Sequence, residues 1–138
     1  MTHDRTTALT DRLARHDSLV EVGVGRRPSV AAALAGRGRS VTATDVRERS
    51  VPDGVRFRRD DVVAASERDE PGATYRAEAL YALNCPPELQ RPLVRVARAV
   101  DAACCFTTLG GDPPVVPVAR ETLPGETLFV ADERPARP

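Results

Sequence analysis

The stretch that most restricts the fold is "LVEVGVGRRPSVAAALAG", residues 19–36. An apolar, valine-rich run at 19–24 reads as a buried strand. Gly23 and Gly25 interrupt its C-terminal end. Pro28 then stands where a first helical turn tolerates a residue without an N–H, and the segment 28–37 reads as a helix ending before Gly38. A second strand, "SVTATDV", follows at 40–46. Strand, tight turn, helix and strand in so short a span form a βαβ unit, whose strands must be parallel because the helix returns the chain to the same edge.

The remaining pattern extends that unit. "GVRFRRDDVV" at 54–63 reads as a third strand, with Val55 and Phe57 on one face. Residues 64–77 are polar, contain Pro71-Gly72 and read as mostly loop. A fourth strand is expected at 78–84 and a fifth at 102–109. Between them, Leu89, Leu93, Val96, Ala97 and Val100 form one stripe of a helix over 87–100, with Pro92 a candidate kink. Gly110-Gly111-Asp112 reads as a turn into a hairpin over 114–133, and "RPARP" as a frayed end. A short surface helix is expected over 4–16. The links 47–53 and 64–77 are too short for full crossover helices. The predicted architecture is α/β: a reduced, doubly wound three-layer domain with a mostly parallel sheet and a C-terminal hairpin. A length of 138 residues suits one domain spanning 1–138, with the N-terminal helix at 4–16, the core at 18–109 and the hairpin last.

In open α/β sheets a ligand sits beyond the carboxyl ends of the strands. Four successive strand ends here carry polar groups. Glu21, Gly23 and Gly25 close the first, and glycine lets backbone approach a ligand closely. Asp45 ends the second, where a carboxylate can accept both hydroxyls of a ribose. Asp60 and Asp61 end the third, beside an expected adenine position, and Asn84 ends the fourth. This series points to a nucleoside-type pocket. A dinucleotide fingerprint is not met, because Pro28 occupies the place of its third glycine, and Asp45 would repel a ribose 2′-phosphate. Arg26 and Arg27 either clamp an anionic ligand at the helix start or pair with Glu21 or Asp45 and close the pocket.

Composition excludes several chemistries. The chain has 20 basic and 20 acidic residues, so no net field collects nucleic acid or anionic membrane. Every basic residue other than the two histidines is arginine; without lysine, Schiff-base chemistry is ruled out. Cys85, Cys104 and Cys105 make no metal motif with His3 and His16, and buried, inert thiols are expected. Cys104 and Cys105, adjacent in a strand, should point to opposite faces. Cys85, near a helix start, is the one candidate thiol nucleophile, but no histidine is placed to serve it. No apolar run could span a bilayer, and residues 1–17 are too polar for a secretory signal, so a soluble, cytoplasmic protein is expected.

The stretches "VEVGVGRRPSVAAALAGRG", "VTATDV", "VRFRRDDV", "YALNCPPEL" and "RVARAVDA" resemble a small, functionally uncharacterised archaeal family of Rossmann-like domains related to S-adenosylmethionine-dependent methyltransferases. The resemblance covers residues 18 to about 108. It implies that Glu21, Gly23 and Gly25 hold the methionine part of S-adenosylmethionine, that Asp45 is the ribose acid, that Asp61 contacts adenine, and that Asn84 opens the loop near the transferred methyl. Two departures matter. Arg27 stands where the methyltransferase loop has its third glycine. "NCPPE" differs from the N-P-P-aromatic loop of amino-group methyltransferases by an inserted Cys85 and by Glu88 in place of the aromatic. Glu88 and Asp112 are the available candidate bases, and both are expected to be exposed, with ordinary low pKa values. The expected function is therefore an adenosyl-ligand binder of methyltransferase type, its site completed by a protein partner or a second copy. The other expectation is a non-catalytic module whose pocket Arg26 and Arg27 fill.

Overall fold

The computed structural model describes residues 4–133. Its elements are α1 (Asp4–Leu13), β1 (Ser18–Val22), α2 (Ser29–Gly36), β2 (Ser40–Asp45), β3 (Val55–Arg59), α3 (Val62–Glu67), β4 (Ala79–Ala82), α4 (Pro87–Ala99), β5 (Ala103–Phe106), β6 (Ala119–Leu123) and β7 (Glu126–Asp132). The seven strands form one sheet in the order β3-β2-β1-β4-β5-β7-β6. The first five are mutually parallel, and β7 inserts antiparallel between β5 and β6. This is a Rossmann-like sheet with a terminal hairpin. The order reverses beside β1, which places the switch point above the loop that follows it.

Strand alternation sorts the core into two layers. Leu19, Val41, Ala43, Tyr81 and Leu128 face α1 and α2, where they meet Leu9, Leu13, Val30 and Leu34. Val20, Val22, Leu80, Cys104, Phe106 and Phe129 face α3 and α4, against Val62, Leu93, Val96 and Ala97. Cys104 and Cys105 fall in opposite layers, as their adjacency requires. Helix α4 continues through Pro92 and buries Leu93, Val94, Val96 and Ala97.

Three local expectations change. The third strand stops at Arg59, and Asp61 caps α3 by accepting the Val63 N–H at 2.9 Å. Residues read as loop therefore hold a helix, of only six residues, too short to show a period. Within the same link, Asp60 accepts hydrogen bonds from Arg68 at 2.8 Å and from the Tyr75 hydroxyl at 2.8 Å. The N-terminal helix ends at Leu13 rather than 16, and it is more than a surface element: Leu9 and Leu13 are in the core. Its Arg12 is buried and donates to Glu121 at 2.6 Å and Glu133 at 2.9 Å, which ties the helix to the hairpin. The tail 134–138 and His3 lie outside the described residues.

Candidate functional site

Above the carboxyl end of β1 lies a cleft of about 440 Å³, within the usual range for small-molecule sites. Glu21, Gly23, Gly25, Arg26, Arg27 and Asn84 all line it. Its far wall is α1, through Arg5, Thr6 and Leu9. Sequence reading missed that wall; the amphipathic spacing of 4–16 was visible, but nothing local says where the helix docks.

The loop after β1 is held from behind. Gly23 and Gly25 have φ of 73° and 61°, conformations that glycine alone adopts without strain. The amides of Gly23 and Val24 both donate to the Thr44 carbonyl at 2.9 Å. The Gly25 amide donates to Asp45 Oδ2 at 2.8 Å, and the Arg47 amide to Asp45 Oδ1 at 3.0 Å. Asp45 is 7% exposed and does not line the cleft. Burial by itself would raise its pKa, but these two amides and the neighbouring Arg49 outweigh burial and hold it below the usual carboxylate range. Two amides leave lone pairs on both oxygens, so Asp45 braces the loop and retains accepting capacity at its edge.

Glu21 is the floor of the cleft. It is 1% exposed, and Tyr81, opposite it in the β1–β4 register, donates its hydroxyl to Oε1 at 2.7 Å. Burial pushes the Glu21 carboxyl up to about 8, against the opposing pull of the Tyr81 hydrogen bond. Burial therefore favours the neutral form of this carboxyl. Tyr81 was not singled out by sequence; its role depends on register.

Arg26 and Arg27 are exposed at the rim. Neither pairs with Glu21 or Asp45, so the arginines do not close the pocket from within. Helix α2 begins just beyond them at Ser29 with no side-chain cap, leaving its first-turn N–H groups unsatisfied by side chains. Asn84, exposed, has a left-handed φ of 53°; its amide donates to Thr107 Oγ1 at 2.8 Å, and its Oδ1 accepts from Arg5 Nη2 at 3.4 Å. Asp61 lies away from the cleft lining, capping α3. Gly110, Gly111 and Asp112 form an exposed turn outside the lining, and Glu88 is exposed on α4. Cys85 is 3% exposed and burial pushes its thiol up to about 12, which removes it as a nucleophile. Among the described residues no cluster of His, Cys, Asp or Glu could hold a metal ion, and no helix is long and apolar enough to cross a membrane.

The fold is a Rossmann-like one of the methyltransferase type. Solved structures share the fold. Monomeric WbdD matches with a TM-score of 0.57 at 13% identity, over 95% of this chain and 40% of that one; WbdD is described as a bifunctional kinase-methyltransferase. The N-terminal domain of EvdMO1, solved with SAH and D-fucose, matches with a TM-score of 0.55 at 18% identity, over 84% of this chain and 54% of that one. The chain thus spans about two-fifths of the WbdD chain and about half of the EvdMO1 N-terminal domain. It belongs to the uncharacterised protein family UPF0146, whose model matches residues 5–134. A UPF0146 protein of Halobacterium salinarum is 56% identical over 133 residues, 95% of this chain and 98% of the relative.

Proposed function

We propose that the cleft binds an adenosyl ligand of the S-adenosylmethionine type, and that the chain, read as one domain over 1–138, is a methyltransferase-like module. The observation that carries this reading is the open cleft over a braced Gly23–Gly25 loop, with Arg26 and Arg27 at its rim and, among the described residues, not folded in upon Glu21 or Asp45. Gly23 and Gly25 would admit the ligand's backbone-facing edge. Glu21 and Asn84 would meet its amino-acid end, and Arg27 its carboxylate, by a charge-assisted bond. Asp45 would reach the ribose from the loop's edge. Asp61 retains one carboxylate oxygen beyond its cap and is assigned to the adenine side.

A bound ligand of this type supplies an electrophilic methyl group. The protein's own residues offer little to activate an acceptor: Glu88 and Asp112 are exposed and outside the cleft. We therefore expect little or no methyl transfer from the isolated chain to free small acceptors. In this reading a protein partner or a second copy completes the acceptor side.

Calorimetric titration tests the proposal. S-adenosylhomocysteine should bind more tightly than NAD. Arg27→Gln should weaken S-adenosylhomocysteine by about tenfold, the loss of one hydrogen bond to a charged group, and leave methylthioadenosine, which lacks the carboxylate, nearly unchanged. Absence of adenosyl-ligand binding would refute it in favour of a non-catalytic module, and tighter binding of NAD would refute it in favour of a dinucleotide binder.

A further inference from the structure

A second cavity, of about 240 Å³, opens at the other end of the sheet, beside Ser18 and Ser40, the first residues of β1 and β2. It lies on the face of the sheet that Val20 and Thr42 share, and residues 73–77 of the link between β3 and β4 form its other wall. Pairing of Ser18 with Ser40 and of Thr42 with Arg56 sets these side chains side by side on one face. Arg58, two residues along β3, shares that face, and Arg76 closes the cavity from the segment before β4. No acidic residue lines it.

The hydrogen bonding at this site has one direction. Arg56 donates from Nε to Thr42 Oγ1 at 3.3 Å and from Nη2 to Ser40 Oγ at 2.7 Å. Ser18 Oγ accepts the Glu78 amide at 2.9 Å. Each hydroxyl oxygen is thus engaged as an acceptor, and each hydroxyl proton is left to donate. Among the described residues none of the three hydroxyls has an acceptor. Three hydroxyls and three arginines line one small space that no carboxylate lines; Arg58 also donates from Nη1 to the Phe57 carbonyl at 3.0 Å, and Arg76 also borders a neighbouring cavity lined by Asp69, Glu70 and Asp101.

From this convergence of Ser18, Ser40 and Thr42 with Arg56, Arg58 and Arg76 we propose a binding site for a phosphate group, carried by a small monoester or by free phosphate. A tetrahedral oxyanion offers several oxygens to several donors at once, and arginine meets two of them in a fork. The cavity is smaller than the usual 300–1,000 Å³ of sites that enclose a whole drug-sized ligand, so it suits the phosphate and little more. The site is independent of the adenosyl cleft and of the function proposed for it.

The test is titration of the full chain, at constant ionic strength, with inorganic phosphate, methyl phosphate and dimethyl phosphate, followed by amide NMR shifts. Inorganic phosphate and methyl phosphate should give saturable shifts at Ser18, Ser40 and Thr42. Their relative affinity separates free phosphate from an ester as the natural occupant. Dimethyl phosphate, which stands for a nucleic-acid backbone, should bind more weakly. Arg76 makes no side-chain bond within the described residues, so Arg76→Gln removes charge without disturbing the fold; it should weaken binding about tenfold, as should Arg56→Gln. Arg95→Gln, on exposed α4 surface, should not. Absence of saturable shifts at the three residues, unchanged affinity in both site variants, an equal loss in Arg95→Gln, or equal binding of dimethyl phosphate would each overturn the proposal.

Discussion

The Tyr81 hydroxyl donates a 2.7 Å hydrogen bond to Glu21 Oε1 inside the sheet, beneath the open cleft. Burial holds that carboxyl at about 8 against an ordinary value of 4.5. Between those values the folded protein keeps a proton that the unfolded chain has released. The stability this group provides is therefore complete below about pH 4.5 and declines as pH rises toward about 8. Glu21→Gln keeps an acceptor for Tyr81 and abolishes the ionisation. The variant should gain stability relative to the native protein as pH rises across this window, by a few kcal/mol at most. Buried His16, whose pKa is lowered chiefly by burial, slopes the other way below about 6.5, but it does so in both proteins and cancels in the difference. Thermal melts of the pair from acid to mildly alkaline pH provide the check; parallel profiles would remove Glu21 as a titrating group.

Two glycine replacements should have opposite signs. Gly25 has φ 61°, and a Cβ there meets nothing within 4 Å, so Gly25→Ala costs backbone strain alone, about 1–2 kcal/mol. Gly36 ends α2 with ordinary φ and equally open space, so Gly36→Ala should stabilise by about 0.5–1 kcal/mol through helix propensity. Urea unfolding of both variants measures this. A neutral Gly25→Ala would mean that the loop does not need its left-handed turn.

Asp45 should matter to stability as well as to ligand. Asp45→Ala leaves the Gly25 and Arg47 amides without their acceptor and should cost about 1–3 kcal/mol in denaturant. Because its folded pKa is depressed, Asp45 stabilises above the unfolded value of 3.8 and loses that effect as pH falls below it; Asp60, held low by Arg68 and Tyr75 against burial, behaves likewise. Asp45→Asn should therefore show a shallower loss of stability on acidification than the native chain. Affinity for S-adenosylhomocysteine unchanged in Asp45→Ala would take Asp45 out of the ligand site while leaving its structural role.

All three thiols should be silent in the native state. Cys85 and Cys105 are pushed up to about 12 and Cys104 is also raised, in each case mainly by burial. Iodoacetamide at mildly alkaline pH should label none until denaturant is added, as read by intact mass. Rapid single labelling of the native protein, mapped to Cys85, would restore it as a reactive group.

Much of this molecule was written into local pattern. The valine run at 19–24, the turn glycines, Pro28 and the stripe on 87–100 specify strand, turn and helix from neighbours only a few residues apart, and a βαβ unit with short links leaves few topologies open. Hence the sheet and the position of the cleft at the end of β1 could be read from sequence, and Glu21, Gly23, Gly25, Arg27 and Asn84 do share its walls. What the sequence could not determine was how each polar group is used once distant segments meet. Asp45 turns its oxygens onto the Gly25 and Arg47 amides; Asp61 is engaged as a helix cap; Tyr81 reaches Glu21 across a strand pair sixty residues apart in sequence. The docking of α1 beside the cleft rests on Leu9 and Leu13 in the core and on Arg12 meeting Glu121 and Glu133, and the hydroxyls of Ser18, Ser40 and Thr42 share one cavity only because β1, β2 and β3 align in register. Those are choices among alternative hydrogen-bond partners of similar energy, and only the packed fold, which brings some partners within 3 Å and buries others, makes them.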